Sequence, residues 1–322
     1  MRTGGKGRNF RELGIFIAFI ALMALMALIS GGNSINPRNL VLIVKQASIN
    51  GILAVGMTFV IVAGGIDLSV GSILAVAGVA AAMFSHPGEH HLLVPVALAV
   101  LVGLALGVVN GLVIALGKIP PFIVTLGMMT MARGLALILS GGSPIYNMSK
   151  EFERLAGGFF PSESFPLRVP ALTLYFVMVV LVGAFFLTKT VFGRHVYAVG
   201  GNEMSARVSG VDIAGVKVGV YAISGLLAGL AGLLLASRIV SGNPTSGSGY
   251  ELDAIAAVTI GGVSMSGGSG KWYGAVVGTL FIAVMGNGLD LLGMQSNLQL
   301  IIKGAIIIIA VLYDTRAKAR DN

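Results

Sequence analysis

Asp67 is the acidic side chain whose surroundings most suggest a special chemical role. It lies in the segment Gly64–Ser72, which reads GGIDLSVGS and is flanked by long apolar stretches. An ionisable group at membrane depth is costly to bury and is therefore a functional candidate by default. The ordinary alternative is that Asp67 accepts hydrogen bonds from backbone amides at the start of the following helix. We expect this capping role to dominate, with contact to a polar solute as a second role.

A few other polar residues interrupt or flank the apolar stretches. Hydrogen bonds between helices explain Asn110 and Asn287 adequately, whereas the sequence names no partner for Arg133. The residues that we predict to line a solute pathway are Asp67, Ser69, Asn110, Glu251, Asp253 and Asn287.

The remaining polar residues do not form a recognisable catalytic, metal or nucleotide site. His86–His91 contains three histidines and a glutamate in a short loop, without a closed set of metal ligands. No Ser/His/Asp set or carboxylate pair shares one depth, as a hydrolase would need. Gly270 and Lys271 are followed by Trp272 and position 265 is Met, so the P-loop pattern is absent. We predict no enzyme activity, no metal and no cofactor; any ATP would be bound by a partner.

Composition indicates what positions these residues. Of 322 residues, 56% are hydrophobic and 11% are charged, and the mean hydropathy is +0.93, whereas a soluble domain carries about 25% charged residues. The apolar stretches are continuous and each is close to the roughly 20 residues that cross a bilayer as a helix. The sequence therefore predicts an all-α polytopic membrane protein. The net charge of +8 comes from residues at membrane boundaries, so we predict no nucleic-acid partner.

The distribution of Lys and Arg predicts ten crossings with both termini cytoplasmic. This topology places 13 of the 21 basic residues inside, five outside and three within or beside spans, as the positive-inside rule requires. It gives a cytoplasmic tail at 1–12, a membrane domain at 13–313 and a second tail at 314–322. The predicted spans are Leu13–Ser30, Leu40–Ala63, Ile66–Phe84, Leu92–Leu116, Pro121–Ser140, Val169–Leu187, Val218–Ser237, Asp253–Gly262, Trp272–Leu289 and Leu298–Tyr313.

Two of these segments are weak, and a count of eight would omit them. The second span contains Lys45 and is expected to be broken; the eighth is short. Interrupted helices at corresponding points of two halves are typical of solute pathways in transporters. The breaks are predicted at Gly64–Ser72 and at Gly242–Asp253, and the segments around them run in opposite directions. We therefore predict an inverted repeat of spans two to five and seven to ten.

The most distinctive soluble segment is the basic loop 188–217. Asn202 is suited to cap a short helix, Glu203 falls in its first turn, and Gly210 is suited to end it. From the residues alone, this helix is either a docking element for a cytosolic partner or an ordinary interfacial helix.

Three motifs in order resemble the permease family of ribose-type ABC importers. They are GGIDLSVGS at 64–72, GGNE followed by ARVSGV at 200–211, and YELDAIAAV at 250–258. The resemblance covers about residues 10–315. It implies a bacterial inner-membrane subunit that works as a pair of copies. It also implies a periplasmic sugar-binding protein outside and a cytosolic ATPase with two nucleotide-binding halves inside.

The resemblance further implies that 200–211 is the coupling helix for this ATPase, with Glu203 and Arg207 in contact. The coupling residues that it implies are Gly200, Gly201, Asn202, Glu203, Ala206, Arg207 and Gly210. The expected solute is a monosaccharide, with ribose preferred. The alternative is a secondary transporter of a small polar solute, driven by an ion gradient, which would share the helices, the breaks and Asp67.

Overall fold

The computed structural model describes residues 5–160 and 169–321, and this part of the chain is almost entirely helical. Arg168 is one of the five basic residues that the predicted topology places outside, and it falls outside the described residues, as do the ends of the two predicted tails. The elements are α1 (Gly5–Ile29), a short 3-10 helix (Asn33–Ile35), α2 (Pro37–Val62), α3 (Val70–Met83), α4 (Leu93–Gly117), α5 (Pro121–Leu139), α6 (Lys150–Gly157), β1 (Phe159–Phe160), β2 (Val169–Pro170), α7 (Ala171–Lys189), α8 (Val191–Gly201), α9 (Glu203–Val208), α10 (Ile213–Ile239), α11 (Tyr250–Ile260), α12 (Trp272–Leu291) and α13 (Ser296–Asp321).

Every predicted span overlaps a helix, so the all-α polytopic fold is confirmed. Among the described residues, six helices are long and apolar enough to cross a membrane: α2, α4, α5, α7, α10 and α12. Two shorter apolar helices are α3 and the part of α1 from Gly14 to Ile29. The number of crossings and the side on which the termini lie stay predictions.

The second predicted span is not broken, contrary to expectation. Helix α2 is continuous, begins with Pro37 at its first position and is capped by Asn36, whose Oδ1 accepts from the Arg38 amide at 3.0 Å. Lys45 is tolerated because its ammonium lies 4.7 Å from the centre of the Phe159 ring. The interruption comes after α2 instead.

Two of the helices that overlap predicted spans are too short to cross a bilayer alone, and they occupy corresponding places in the chain. Helix α3 has 14 residues and α11 has 11, which gives about 21 Å and about 16 Å against a hydrocarbon thickness of about 30 Å. Each follows a long helix, α2 with 26 residues and α10 with 27, after a non-helical segment. The same order of long, short, long and long helices therefore occurs twice.

Glycines bring the helix backbones together, which is the close packing that favours helix association in lipid. An added Cβ at Gly107 would lie 2.9 Å from the Cα of Gly225, and one at Gly103 would lie 2.7 Å from the Cα of Gly229. Helix α4 thus rests directly on the backbone of α10. Gly274 and Gly278 bring α12 against the end of α11 in the same way.

Candidate functional site

The first break, residues 63–69, separates α2 from α3. Gly64 has φ +84°, a left-handed conformation that glycine adopts without strain. Its amide donates to Ile61 O at 2.9 Å and that of Gly65 donates to Val60 O at 2.9 Å. These bonds satisfy the last carbonyls of α2 and turn the chain sharply.

Asp67 lies in this break with no solvent exposure. Its Oδ1 accepts from the Ser69 amide at 3.0 Å and from Ser69 Oγ at 2.5 Å, and its Oδ2 accepts from Ser224 Oγ at 2.8 Å. The predicted capping role is corrected in detail: the N-cap position of α3 is Ser69, not Asp67. The carboxylate instead joins the break to α10, where Ser224 lies.

The rest of the break is also held by polar groups from neighbouring helices. Asn110 Nδ2, on α4, donates to Ser69 Oγ at 2.9 Å. The carbonyl of Ile66 accepts from Thr125 Oγ1 and from Tyr221 OH, each at 3.3 Å. Buried polar groups are stable when they are partnered in this way. The structure therefore brings Asp67, Ser69 and Asn110 into one buried network.

The second break, residues 240–249, separates α10 from α11 and has a different character. Its first residues pair with Ile145, through Gly242 N to Ile145 O at 2.9 Å and Ile145 N to Gly242 O at 3.1 Å. Arg133 Nη1, on α5, donates to Pro244 O at 2.5 Å and to Ser246 O at 2.9 Å. The partner that the sequence could not name for Arg133 is thus unwound backbone.

The two breaks touch each other at the starts of the short helices. An added Cβ at Gly247 would lie 2.6 Å from Gly71 O, and the Glu251 carboxylate also lies against Gly71. The N-termini of α3 and α11 therefore converge. Glu251 and Asp253 lie in the first turn of α11, where the helix dipole favours negative charge.

This meeting point has an accessible polar edge. Thr245 and Ser248 are exposed and Glu251 is partly exposed, whereas Asp67, Ser69 and Asn110 are fully buried. A polar solute at the surface of the second break would meet these hydroxyls, whereas the side chains of Asp67, Ser69 and Asn110 are out of its reach.

Two other predicted pathway residues lie elsewhere and are already partnered. Asp253 Oδ2 accepts from Lys303 Nζ at 2.9 Å, joining α11 to α13. Asn287 exchanges amide hydrogen bonds with Asn39 at 2.7 and 3.0 Å, joining α12 to α2. The second pair agrees with the predicted bonding between helices. Whether any of these residues contacts a solute stays a prediction.

The loop between α7 and α10 contains the predicted short helix, α9. Asn202 Oδ1 accepts from the Ser205 amide at 2.9 Å, and Gly210 ends the segment with φ +82°, so the predicted cap and stop are confirmed. Ala206 is buried, whereas Met204 is 70% exposed and Val208 is 83% exposed. Two large apolar side chains four residues apart thus face outward together.

The charged residues of α9 are bonded within the chain. Glu203 Oε2 accepts from Lys217 Nζ at 2.8 Å and its Oε1 accepts from Arg207 Nη2 at 3.1 Å. The hydrogen bond from Lys217, reinforced by the charges of Lys217 and Arg207, holds the pKa of Glu203 below its ordinary value despite partial burial. A cavity of about 690 Å³ lies between α9, the start of α10 and the turn that carries Lys118.

Several residues of these sites escaped sequence reasoning. Ser224 and Tyr221 lie in the long apolar middle of α10, and their hydroxyl groups were the one sequence feature that could have indicated a polar role. Met204 and Val208 were detectable as apolar residues in a polar loop. In the part of the chain that the structure describes, no group of three or more His, Asp or Glu is placed to hold a metal ion.

Comparison with known proteins identifies the family. The family described as branched-chain amino acid transport system / permease component matches residues 39–311. The chain belongs to this permease family. The permease is 44% identical over 291 residues to the ribose import permease protein RbsC of Bacillus subtilis, covering 88% of this chain and 87% of that protein.

Other relatives extend the same pattern. The permease is 44% identical over 278 residues to the ribose import permease protein RbsC of Escherichia coli K12, covering 86% of each chain. It is 33% identical over 344 residues to the xylose transport system permease protein XylH of the same strain, covering 90% of this chain and 88% of that protein. No solved structure was found to match the chain. The permease is a multi-pass membrane transport protein.

Proposed function

We propose that the permease is the membrane subunit of an ATP-binding-cassette importer that carries a monosaccharide, with ribose as the expected sugar, across the bacterial inner membrane. The observation that carries the proposal is the 44% identity to ribose import permeases over at least 86% of the chain. The 33% identity to a xylose permease supports a sugar as the solute class. The chain itself has no catalytic role and binds no cofactor in this proposal.

The energy comes from a cytosolic ATPase with two nucleotide-binding halves, which binds ATP and docks on α9. The exposed pair Met204 and Val208 supports this role, because exposed apolar side chains on a short capped helix are suited to a protein partner. A periplasmic sugar-binding protein delivers the sugar, and a second copy of the permease completes the pathway.

The proposed topology has ten crossings, with both termini and α9 in the cytoplasm. The short helices α3 and α11 count as crossings together with the breaks that precede them. The repeated order of helix lengths supports an inverted repeat in which α2–α5 correspond to α10–α13.

In the proposed mechanism, sugar passes along the accessible edge of the second break. Thr245 and Ser248 are exposed there; Ser248 offers a hydroxyl, and Thr245 Oγ1, which donates to Asn243 Oδ1 at 2.8 Å, offers an acceptor. The buried network of Asp67, Ser69 and Asn110 holds the first break in shape behind that edge. A weak site is sufficient because the binding protein supplies selectivity.

The decisive experiment is reconstitution of the permease with its ATPase and binding protein in vesicles. We expect labelled ribose to accumulate with ATP and not with a non-hydrolysable analogue, and excess unlabelled leucine to leave that uptake unchanged. If unlabelled xylose reduces the uptake of labelled ribose more strongly than unlabelled ribose does, xylose replaces ribose as the assigned sugar. Uptake by the permease alone, driven by a proton or sodium gradient, would establish the alternative of a secondary transporter.

The docking role of α9 is tested by a charge swap. We expect Glu203→Arg and Arg207→Glu, each alone, to weaken ATPase binding. The double swap retains an i,i+4 ion pair within the helix but places a cation beside Lys217, which bonds Glu203 at 2.8 Å in the parent. Adding Lys217→Glu restores both ion pairs with reversed sign, and this triple variant is the matched control for the stability of α9. Full recovery in the triple variant would argue that the charges only stabilise α9, whereas continued loss would support direct contact with the ATPase. Met204→Asp is expected to release the ATPase in either case.

A further inference from the structure

The C-terminal end of α8 packs directly on the backbone of two other elements. An added Cβ at Gly200 would overlap the carbonyl oxygen of Val62, the last residue of α2, and would lie 2.7 Å from the Gly268 amide nitrogen. One at Gly267 would lie 2.7 Å from Gly200 O and 3.0 Å from the Cα of Gly64. Three chain segments therefore meet with no side chain between them.

Two hydrogen bonds close this contact. The Gly268 amide donates to Val62 O at 2.9 Å, and Tyr197 OH donates to Gly270 O at 2.7 Å. We name the contact the three-way joint and define it by Tyr197–Gly201, Val62–Gly64 and Gly267–Gly270.

Each arm of the three-way joint leads to a different functional element. Gly201 is followed by Asn202, which caps α9. Gly64 lies in the first break, three residues before Asp67. The turn that contains Gly267–Gly270 connects α11, which follows the second break, to α12. The joint is thus in contact with the docking helix and with the chain that leads to both breaks.

Direct backbone contact makes the joint stiff. Long side chains at an interface absorb a displacement by changing rotamer, whereas close-packed backbone passes it on. Movement of α8 and α9 is therefore transferred to Val62–Gly64 and to the turn with little loss. Residues that keep the three arms in contact control that transfer.

We propose that Tyr197 and Gly200 are positioning residues that couple ATPase movement at α9 to the two breaks. The inference rests on the proposed function. Tyr197 and Gly200 touch neither sugar nor ATP in this proposal. They set how much sugar is carried for each ATP that is hydrolysed. A purely structural role would lower the stability of the complex and leave this ratio unchanged.

The chain offers a matched control at a glycine outside the joint and outside the coupling segment. An added Cβ at Gly127, exposed on α5, would have no neighbour within 4 Å, so Gly127→Ala introduces the same methyl group without displacing the joint. Gly200→Ala must push α8 away from Val62. Tyr197→Phe removes the hydroxyl and keeps the ring, so it loosens the joint with the least risk to folding.

The experiment measures ribose uptake and ATP hydrolysis together in vesicles that contain the full complex, for the parent and the three variants. We expect Gly127→Ala to match the parent. We expect Tyr197→Phe to carry about fivefold less ribose per ATP, as loss of one part-buried hydrogen bond would cause, and Gly200→Ala to carry less still.

The outcomes separate the inference from the proposed function. If the parent complex couples ATP to ribose uptake and assembled Tyr197→Phe keeps the parent ratio, the inference is overturned alone. If Gly200→Ala fails to assemble, the ratio of ribose carried to ATP hydrolysed in Tyr197→Phe decides the test. An equal fall in Gly127→Ala would also overturn the inference, because the effect would not be specific to the joint. A parent complex that carries no sugar with ATP would overturn the proposed function itself.

Discussion

The two breaks solve one physical problem in opposite ways. Both leave backbone groups without helical partners in a membrane protein, where such groups must be satisfied internally. The first break is enclosed by hydroxyls and amides around the fully buried Asp67. The second is held by Arg133 on two carbonyls and by backbone hydrogen bonds between Gly242 and Ile145, and its Thr245 and Ser248 remain exposed. The first is therefore built as a fixed support and the second as an accessible edge.

This difference predicts that substitutions in the two breaks have different consequences. Changes in the first break should lower stability, and transport should fall with it. Changes at the exposed edge of the second should alter transport while the protein stays folded. Four predictions test this division, in order of decreasing effect.

Asp67→Ala should have the largest effect, because it leaves the Ser69 amide and the Ser69 and Ser224 hydroxyls without their acceptor. Each unpartnered buried group costs about 1–3 kcal/mol, so we expect the free energy of unfolding to fall by roughly 3 kcal/mol. Unfolding in mixed detergent micelles measures this. Asp67→Asn retains one oxygen acceptor, so its free energy of unfolding should lie between those of the parent and of Asp67→Ala. If Asp67→Ala is as stable as the parent, the first break does not act as a structural support.

Arg133→Met should come next, because two carbonyls of the second break lose their donor. Hydrogen bonds to charged groups are worth about 1.5–3 kcal/mol, and water at the exposed edge should recover part of this, so we expect a loss of about 2 kcal/mol. Arg133→Lys keeps the charge and should restore part of it. Ribose uptake should fall further than the folded fraction. A parallel fall of both would make this break a support like the first.

Ser224 and Ser248 form a matched pair for the comparison. Ser224→Ala removes one buried donor to Asp67 and should cost about 1 kcal/mol of stability. Ser248→Ala removes an exposed hydroxyl and should leave stability unchanged, while the concentration of ribose needed for half-maximal uptake rises. The reverse result, with Ser224 governing uptake and Ser248 governing stability, would exchange the roles of the two breaks.

Glu203→Gln should have the smallest effect on stability. Glu203 lies outside both breaks and therefore serves as a reference for them. Its pKa is lowered in the folded protein, so its ion pairs stabilise α9 at neutral pH and are lost as pH falls through that lowered pKa. The effect is small because 42% of its side chain is exposed. The difference in thermal midpoint between parent and Glu203→Gln should be measurable at pH 7 and should shrink in acid below the ordinary glutamate pKa. A difference that grows in acid would contradict the pairing.

Sequence patterns predicted the elements of this fold better than their partners. Continuous apolar stretches indicated the helices because a membrane helix must be apolar over its length. Asn202 and Gly210 indicated α9 because a cap and a left-handed stop depend on local residue type. Gly64 and Asp67 marked the first break for the same reason.

Long-range partners carried no comparable signal. Arg133 donates to main-chain carbonyls. Every residue has a carbonyl, so residue type does not indicate which of them Arg133 binds. Asp67 depends on Ser224, which is 157 positions away and lies in an apolar helix that could have faced it in several ways. The break predicted within α2 was wrong because the cost of Lys45 is offset by the Phe159 ring, a contact that the order of residues does not reveal.

The glycine contact between α4 and α10 has a thermodynamic consequence. Ordering a long side chain at an interface costs up to about 2 kcal/mol of rotamer entropy, and Gly103, Gly107, Gly225 and Gly229 have no rotamers to order. The pairing of these helices therefore carries no cost of side-chain rotamer entropy at these positions, a cost that grows with temperature. Heating should loosen helices joined by leucine and methionine before it separates α4 from α10, which makes this pair the expected last element to melt.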